Sequence, residues 1–173
     1  MRQVILDTET TGLAPSEGHR LIEIAAIELI DRETTGIQFH HYLQPHHPVD
    51  EKALAIHGLS DEFLTDKPDF SSIAAEFMAF IKGTQLIIHN AAFDLSFLDQ
   101  ELGQLEQPLG RIERYCDIID TLALARSLYP GKDNSLESLC KRYHIDTTCR
   151  SAHGALIDAQ LLTEVYLAMT DAV

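Results

Sequence analysis

Short apolar runs and longer amphipathic stretches follow one another along the chain, and the change of period marks the elements. Residues 3–7, QVILD, read as a short buried strand closed by an acid. Residues 21–31, LIEIAAIELID, are rich in strand formers, and 36–43, GIQFHHYL, alternate. The intervening DRETTG supplies turn residues, so the two stretches predict a hairpin. A loop with two prolines, QPHHPVDE, leads into a short helix over 50–55, then IHGLS and a loop to Pro68. Over 71–83, apolar positions at 73, 77, 80 and 81, with Gly83 as a stop, predict a helix. QLIIHN reads as a buried strand, AAFDLSFLDQEL as a helix and RIERYCDI as strand-like. DTLALARSLY reads as a helix with Asp120 as its cap. In NSLESLCKRYH, Asn134 and Glu137 have the capping-box spacing, and a last helix runs from about Gly154 to Met169. Strands come first, then strands alternating with helices, then helices. That order predicts one α/β domain, a central mixed sheet flanked by helices.

The totals narrow the function. A chain of 173 residues can bury a real core as one domain. Its apolar runs fall short of the ~20 residues of a membrane span, and MRQVILDTE does not read as a signal peptide. Cys116, Cys140 and Cys149 have neither an even count nor CxxC spacing, so they read as reduced thiols of a cytoplasmic protein. The formal charge of −14 excludes nucleic-acid binding through a broad basic face, which needs clustered Lys and Arg. Either nucleic acid is not the ligand, or the contact is small and bridged by cations.

Four acids stand out against this background. Asp7 and Glu9, in DTETTG, are two apart on a strand end and point the same way. Such a pair repels unless it is solvated or shares a cation, and oxygen-only ligands suit Mg²⁺ or Mn²⁺. Asp94, in HNAAFD, lies in the first turn of its helix, where the dipole favours an acid. It also aligns with Leu98, Leu102 and Leu105, on or beside a buried stripe. Asp158 aligns in the same way with Leu161, Leu162, Val165 and Met169, although buried acids are rare without a partner. Four carboxylates with no basic partners evident nearby in sequence suggest a two-metal phosphoryl-transfer site. His153, five residues before Asp158 and so off its helix face, suits a general base. His89 competes for that role, but its place at a buried strand end favours a core or wall residue. His40, His41, His46 and His47 read as surface, and His19 and His144 give no signal.

Read together, D7-T-E9-T-T-G, H89-N-A-A-F-D94 and H153-G-A-L-x-D158-A resemble the three motifs of the DEDDh 3′→5′ exonucleases. IHGL and PGKDNSLESLC extend the likeness over nearly the whole chain, toward the epsilon-type proofreading group of bacterial DNA polymerase III. The resemblance implies a ribonuclease H-like fold of about five strands and a single catalytic domain over 1–173. It also implies two Mg²⁺ or Mn²⁺ ions held by Asp7, Glu9, Asp94 and Asp158, with Asp7 bridging, and His153 as the base. By matching position, Thr10, Thr11, His57 and Phe93 meet the terminal nucleotide, together with Asp7, Glu9 and Asp158. The partners implied are a single-stranded or frayed DNA 3′ end and a replicative polymerase, whose binding tail in that group follows this domain and is absent from this chain. Related chains often carry an acid where Lys52 stands. The rival readings are an RNA 3′-end trimmer of the same superfamily, which should carry its own basic patch, and a non-catalytic binding module, which should have lost carboxylates.

Overall fold

A computed structural model describes residues 1–171 of the chain. Five strands form one mixed sheet: β1 (Arg2–Thr10), β2 (Leu21–Ile30), β3 (Glu33–Tyr42), β4 (Gln85–Ile88) and β5 (Asp117–Asp120), in the order β3-β2-β1-β4-β5. The first three pair antiparallel, while β4 runs parallel to β1, and β5 to β4. Helices α1 (Glu51–His57), α2 (Asp61–Leu64), α3 (Phe70–Ile81), α4 (Ala91–Gly103), α5 (Thr121–Leu128), α6 (Leu136–Arg142) and α7 (Ala155–Thr170) surround it.

The pleat of β1 sorts its side chains between two layers. Val4 and Leu6 join Ile24, Ala26 and Ile88 in a core covered by α3 and α4. Ile5 turns the other way, with Ala25, Leu29 and Ile87, against Ala155, Ala159 and Leu162 of α7. The outer face of α7 is itself covered: Leu161, Val165 and Met169 meet Ala125 of α5 and Leu139 and Cys140 of α6. Helix α7 is therefore buried on most sides, which explains its nearly continuous apolar sequence.

Several predicted boundaries shift, each for a local reason. The hairpin turn is not DRETTG but the two residues Asp31 and Arg32, both with positive φ (50° and 71°), between the paired Ile30 and Glu33. A two-residue turn of that kind matches the twist of its strands, so residues 33–35 join β3. In RIERYCDI, residues 112–114 form a 3-10 turn whose first N–H is taken by Asp99, and the strand begins only at Asp117. Helix α6 is capped by Ser135, which accepts the Ser138 N–H (3.2 Å), and not by an Asn134–Glu137 box. Asn134 is instead buried, donating to the Tyr129 and Lys132 carbonyls and accepting from Arg142. Helix α2, four residues capped by Ser60, lies where the pattern read as loop.

Asp120 caps α5 as predicted and also serves a second element. One of its oxygens accepts the Leu122 N–H (2.9 Å) and the Asn90 N–H (3.1 Å), tying the entry of α5 to the entry of α4. Asp120→Ala should cost about 1–2 kcal/mol in denaturant unfolding, and Asp120→Asn, which keeps an acceptor, should recover most of it.

Candidate active site

Asp7 and Glu9 leave β1 on the face that packs against α7, and Asp158 descends from the first turn of that helix. One carboxylate oxygen from each lies within 4.8 Å of the other two. Asp94 reaches the cluster from the opposite layer. It is buried at the start of α4 and accepts the Thr8 hydroxyl at 2.6 Å, on the other face of β1. Asp94 is thus held beside the trio without belonging to its tightest group, and among the described residues the compact oxygen cluster comprises Asp7, Glu9 and Asp158.

Burial and mutual repulsion push all four carboxyl groups upward. Burial raises Asp7 most, reinforced by Asp94, Glu9 and Asp158. Glu9 rises to about 8, by burial first and then by Asp158 and Glu23. Asp94 rises to about 7 through burial, opposed by its bond from Thr8. Asp158 is raised by burial against the pull of Arg150 and His153.

A divalent cation fits this set. The donors are all oxygen, as Mg²⁺ or Mn²⁺ requires, and the buried Oδ1 of Asp158 has no hydrogen-bond partner. Arg150 is the partner that sequence spacing did not reveal. Its Nε lies 3.0 Å from Asp158 Oδ1, and its Nη2 donates to Oδ2 at 3.1 Å and to His153 Nδ1. This guanidinium neutralises the cluster from the side on which His153 stands. The only signal for it was its place in the same loop, three residues before the histidine.

His153 is half exposed at the mouth, 3.6 Å from Asp158, and its N–H donates to the Ile56 carbonyl (3.1 Å). That bond fastens the loop to α1. Glu23 was also missed. It is almost fully buried on β2, opposite Glu9 across the ladder. One oxygen accepts the Ala155 N–H (2.8 Å) at the start of α7, and the other meets His40 Nε2 (2.7 Å). His40 is therefore an interior partner rather than a surface residue. Glu23 escaped notice because a lone acid in LIEIAAIEL reads as an exposed strand position.

Beside Glu9 opens a cleft of about 260 Å³ with apolar walls, lined by Thr10, Leu13, Ala53, Ile56, His57 and Phe93, with Lys52 and Asp50 at its edge. Phe93 packs against Phe97 with the rings tilted (5.2 Å between centroids) and lines the cleft. His57 is held by both nitrogens, Nε2 to the Thr10 carbonyl (3.1 Å) and Nδ1 to the Leu59 N–H (3.0 Å), and burial lowers its pKa. Thr10 lines the cleft while its hydroxyl donates to the Gly12 carbonyl. Thr11 does not line it: its side chain is fully buried, and its hydroxyl is engaged by His19 Nδ1 and the Arg20 N–H. His19 also lies flat over Gly12, where an added Cβ would come within 2.4 Å of its ring, so both that glycine and that histidine shape the motif turn. His89 is a wall residue, with Nδ1 on Thr121 and Nε2 on the Asn134 carbonyl.

A carboxylate cluster able to hold a metal ion thus stands at the end of the central strand of a mixed α/β sheet, beside an apolar cleft, an arrangement suited to an exonuclease of the ribonuclease H-like fold. Residues 4–166 match the family model described as "Exonuclease". The chain belongs to this exonuclease family. It is 53% identical to DNA polymerase III subunit epsilon of Escherichia coli (strain K12), over 98% of this chain and 71% of that protein. It is 49% identical to the same subunit of Pasteurella multocida (strain Pm70), over 98% of this chain and 68% of that one. Among solved structures it is similar to exonuclease X in complex with 5′ overhanging duplex DNA, with a TM-score of 0.75 and 26% identity over 98% of this chain and 92% of that one. Exonuclease I shares the fold, with a TM-score of 0.82 at 18% identity over 99% of this chain and 42% of that one.

Two outcomes test this geometry. Raised carboxyl pKa values mean that the metal-free folded state holds more protons than the unfolded chain between about pH 4 and 8, so its stability should fall as pH rises through that window. Melting in EDTA should show a lower Tm at pH 8 than at pH 5, Mn²⁺ should remove the difference, and Asp7→Asn/Glu9→Gln should flatten it without metal. Arg150→Ala should tighten Mn²⁺ binding roughly three- to tenfold by calorimetric titration, because the guanidinium competes for the same oxygens. Weaker binding would instead mean that Arg150 holds the ligands in place.

Proposed function

We propose that this chain is the catalytic part of a proofreading 3′→5′ exonuclease that removes nucleoside 5′-monophosphates from the frayed 3′ end of DNA, delivered by a replicative polymerase. The observation that carries this reading is the convergence of Asp7, Glu9 and Asp158 beside an apolar cleft. The cofactor is two ions of Mg²⁺ or Mn²⁺, with Asp7, Glu9 and Asp158 as the compact ligand set and Asp94 completing it from α4. When bound, these ions neutralise the phosphate and stabilise both the attacking and the leaving oxygen.

The protein's own groups divide the remaining work. The cleft takes the terminal nucleoside, with Phe93 against its base or sugar and His57 fixing the wall. A water attacks the phosphorus, the bond to the 3′ oxygen of the penultimate nucleotide breaks, and the strand is left with a new 3′ hydroxyl. His153 receives the water's proton. Its Nδ1 is engaged by Arg150, so the guanidinium would have to give way before that nitrogen could take a proton. The −14 charge suits a small, cation-bridged contact rather than a broad basic face, and a polymerase partner supplies the effective concentration that weak intrinsic affinity lacks. RNA trimming is not favoured, because the relatives are polymerase subunits and a stand-alone trimmer needs more basic surface.

On 5′-labelled single-stranded DNA, the chain should produce a ladder shortening from the 3′ end with Mg²⁺ or Mn²⁺ and none with EDTA. His153→Ala should lower kcat by about 10²–10⁴ yet keep metal binding, whereas Asp7→Ala should lose both. Efficient trimming of RNA with DNA left intact would overturn the DNA assignment.

A further inference from the structure

A second, polar cleft of about 490 Å³ opens just past the end of β4, where His89, Asn90, Arg126, Lys132, Asp133 and Ser135 meet. Its position follows from the sheet. Leu6 pairs with Ile88, the last residue of parallel strand β4, so His89 leaves that strand at the end of the sheet where Asp7 follows Leu6.

The charge distribution gives this cleft its meaning. Seven of the thirteen Lys and Arg side chains have a carboxylate within 4.0 Å: Arg2, Arg20, Arg32, Lys67, Arg111, Lys141 and Arg150. Arg142 is occupied by Asn134 and the Tyr129 ring. Five described cations, Lys52, Lys82, Arg114, Arg126 and Lys132, are exposed and have no such partner, and of these Arg126 and Lys132 are the two that line one cleft together. Asp133 also lines the cleft and keeps its charge while accepting the Ser135 N–H, so the two lining cations outnumber the one lining carboxylate. In a chain this acidic, two unpaired cations in one polar groove beside a phosphodiesterase centre call for an anion.

We propose that this cleft is a second nucleic-acid subsite, in which Arg126 and Lys132 take phosphates of the strand upstream of the scissile bond. The inference rests on the exonuclease reading for the direction of the strand. The two clefts then divide the substrate. The apolar one takes the terminal nucleoside, and the polar one holds backbone charge. Contacts to phosphate carry no sequence information, which suits an enzyme that must accept any 3′ end.

The test is equilibrium binding of 5′-fluorescein dT2 and dT12 by anisotropy in Ca²⁺ buffer, over a salt series, with wild-type cleavage of dT12 in Mg²⁺ measured alongside. Arg126→Ala/Lys132→Ala should weaken dT12 binding about tenfold and lower its salt slope by about 1.4, at roughly 0.7 per single-strand phosphate contact. The affinity for dT2, too short to reach the cleft, should move less than about twofold. Lys82→Ala/Arg114→Ala, which removes equal charge near the opposite end of β4, is the control and should leave dT12 binding near the wild-type value. Equal losses for dT2 and dT12, equal losses in the control, or an unchanged salt slope would overturn the proposal. A wild type that shows the expected binding pattern yet releases no mononucleotide would count against the exonuclease reading alone.

Discussion

Mutual repulsion among carboxylates at the end of β1 governs the design of this molecule. Asp7 and Glu9 share a face of one strand, Asp158 approaches from α7, Asp94 from α4, and Glu23 stands behind them on β2. Like charges at such separations, partly removed from water, repel strongly, so the arrangement exists only because the rest of the fold compels it. The compulsion is mechanical. Strand β1 is central and hydrogen-bonded on both sides, and α7 is clamped between the sheet and the α5–α6 layer. Neither element can relax to separate the charges, and what remains to relieve them is a proton, a guanidinium or a divalent cation.

The polar contacts around the cluster all serve to hold acids where they would not settle unaided. Thr8 donates to Asp94 across the strand, and Glu23 fastens the first N–H of α7 while backed by His40. Arg150 supplies positive charge to Asp158 from a loop whose backbone is fastened to α1 through His153. That guanidinium is the most direct stand-in for a cation: it comes from a loop rather than a rigid helix, so the ligands can stay fixed while it yields.

Surface charge follows the same logic. The protein is strongly acidic, and few of its cations are free: Lys82 and Arg114 stand near the start of β4, and the others border the two clefts. Lys52 edges the apolar cleft, and Arg126 and Lys132 edge the polar one. Most others are spent on interior or surface carboxylates. A protein organised in this way meets an anionic strand at a few chosen points and repels it elsewhere, which favours short engagement with a loose end over wrapping of a duplex.

The candidate site was legible in the sequence because it is built from rigid, regularly spaced parts. Asp7 and Glu9 two apart on a strand, and Asp94 and Asp158 on apolar helical stripes, declare themselves by breaking a hydrophobic pattern whose period is fixed by backbone geometry. The same periodicity predicted four of the strands and the main helices, while the fifth strand starts later than RIERYCDI suggested and the Asp120 cap was read from its residue type. The residues it did not reveal act across the sequence. Arg150 pairs with Asp158 through a loop without period, Glu23 reaches an N–H 132 positions away, and His19 closes over Gly12 from a turn. The spacing of His153 from Asp158 shows only that the two cannot share a helix face. That the histidine stands at the mouth with an arginine on its ring, while the aspartate lies inside against the same guanidinium, was decided by the tertiary structure. Sequence periodicity records which way a side chain points from its own element, whereas charge compensation depends on which elements meet, and only the packed fold determines that.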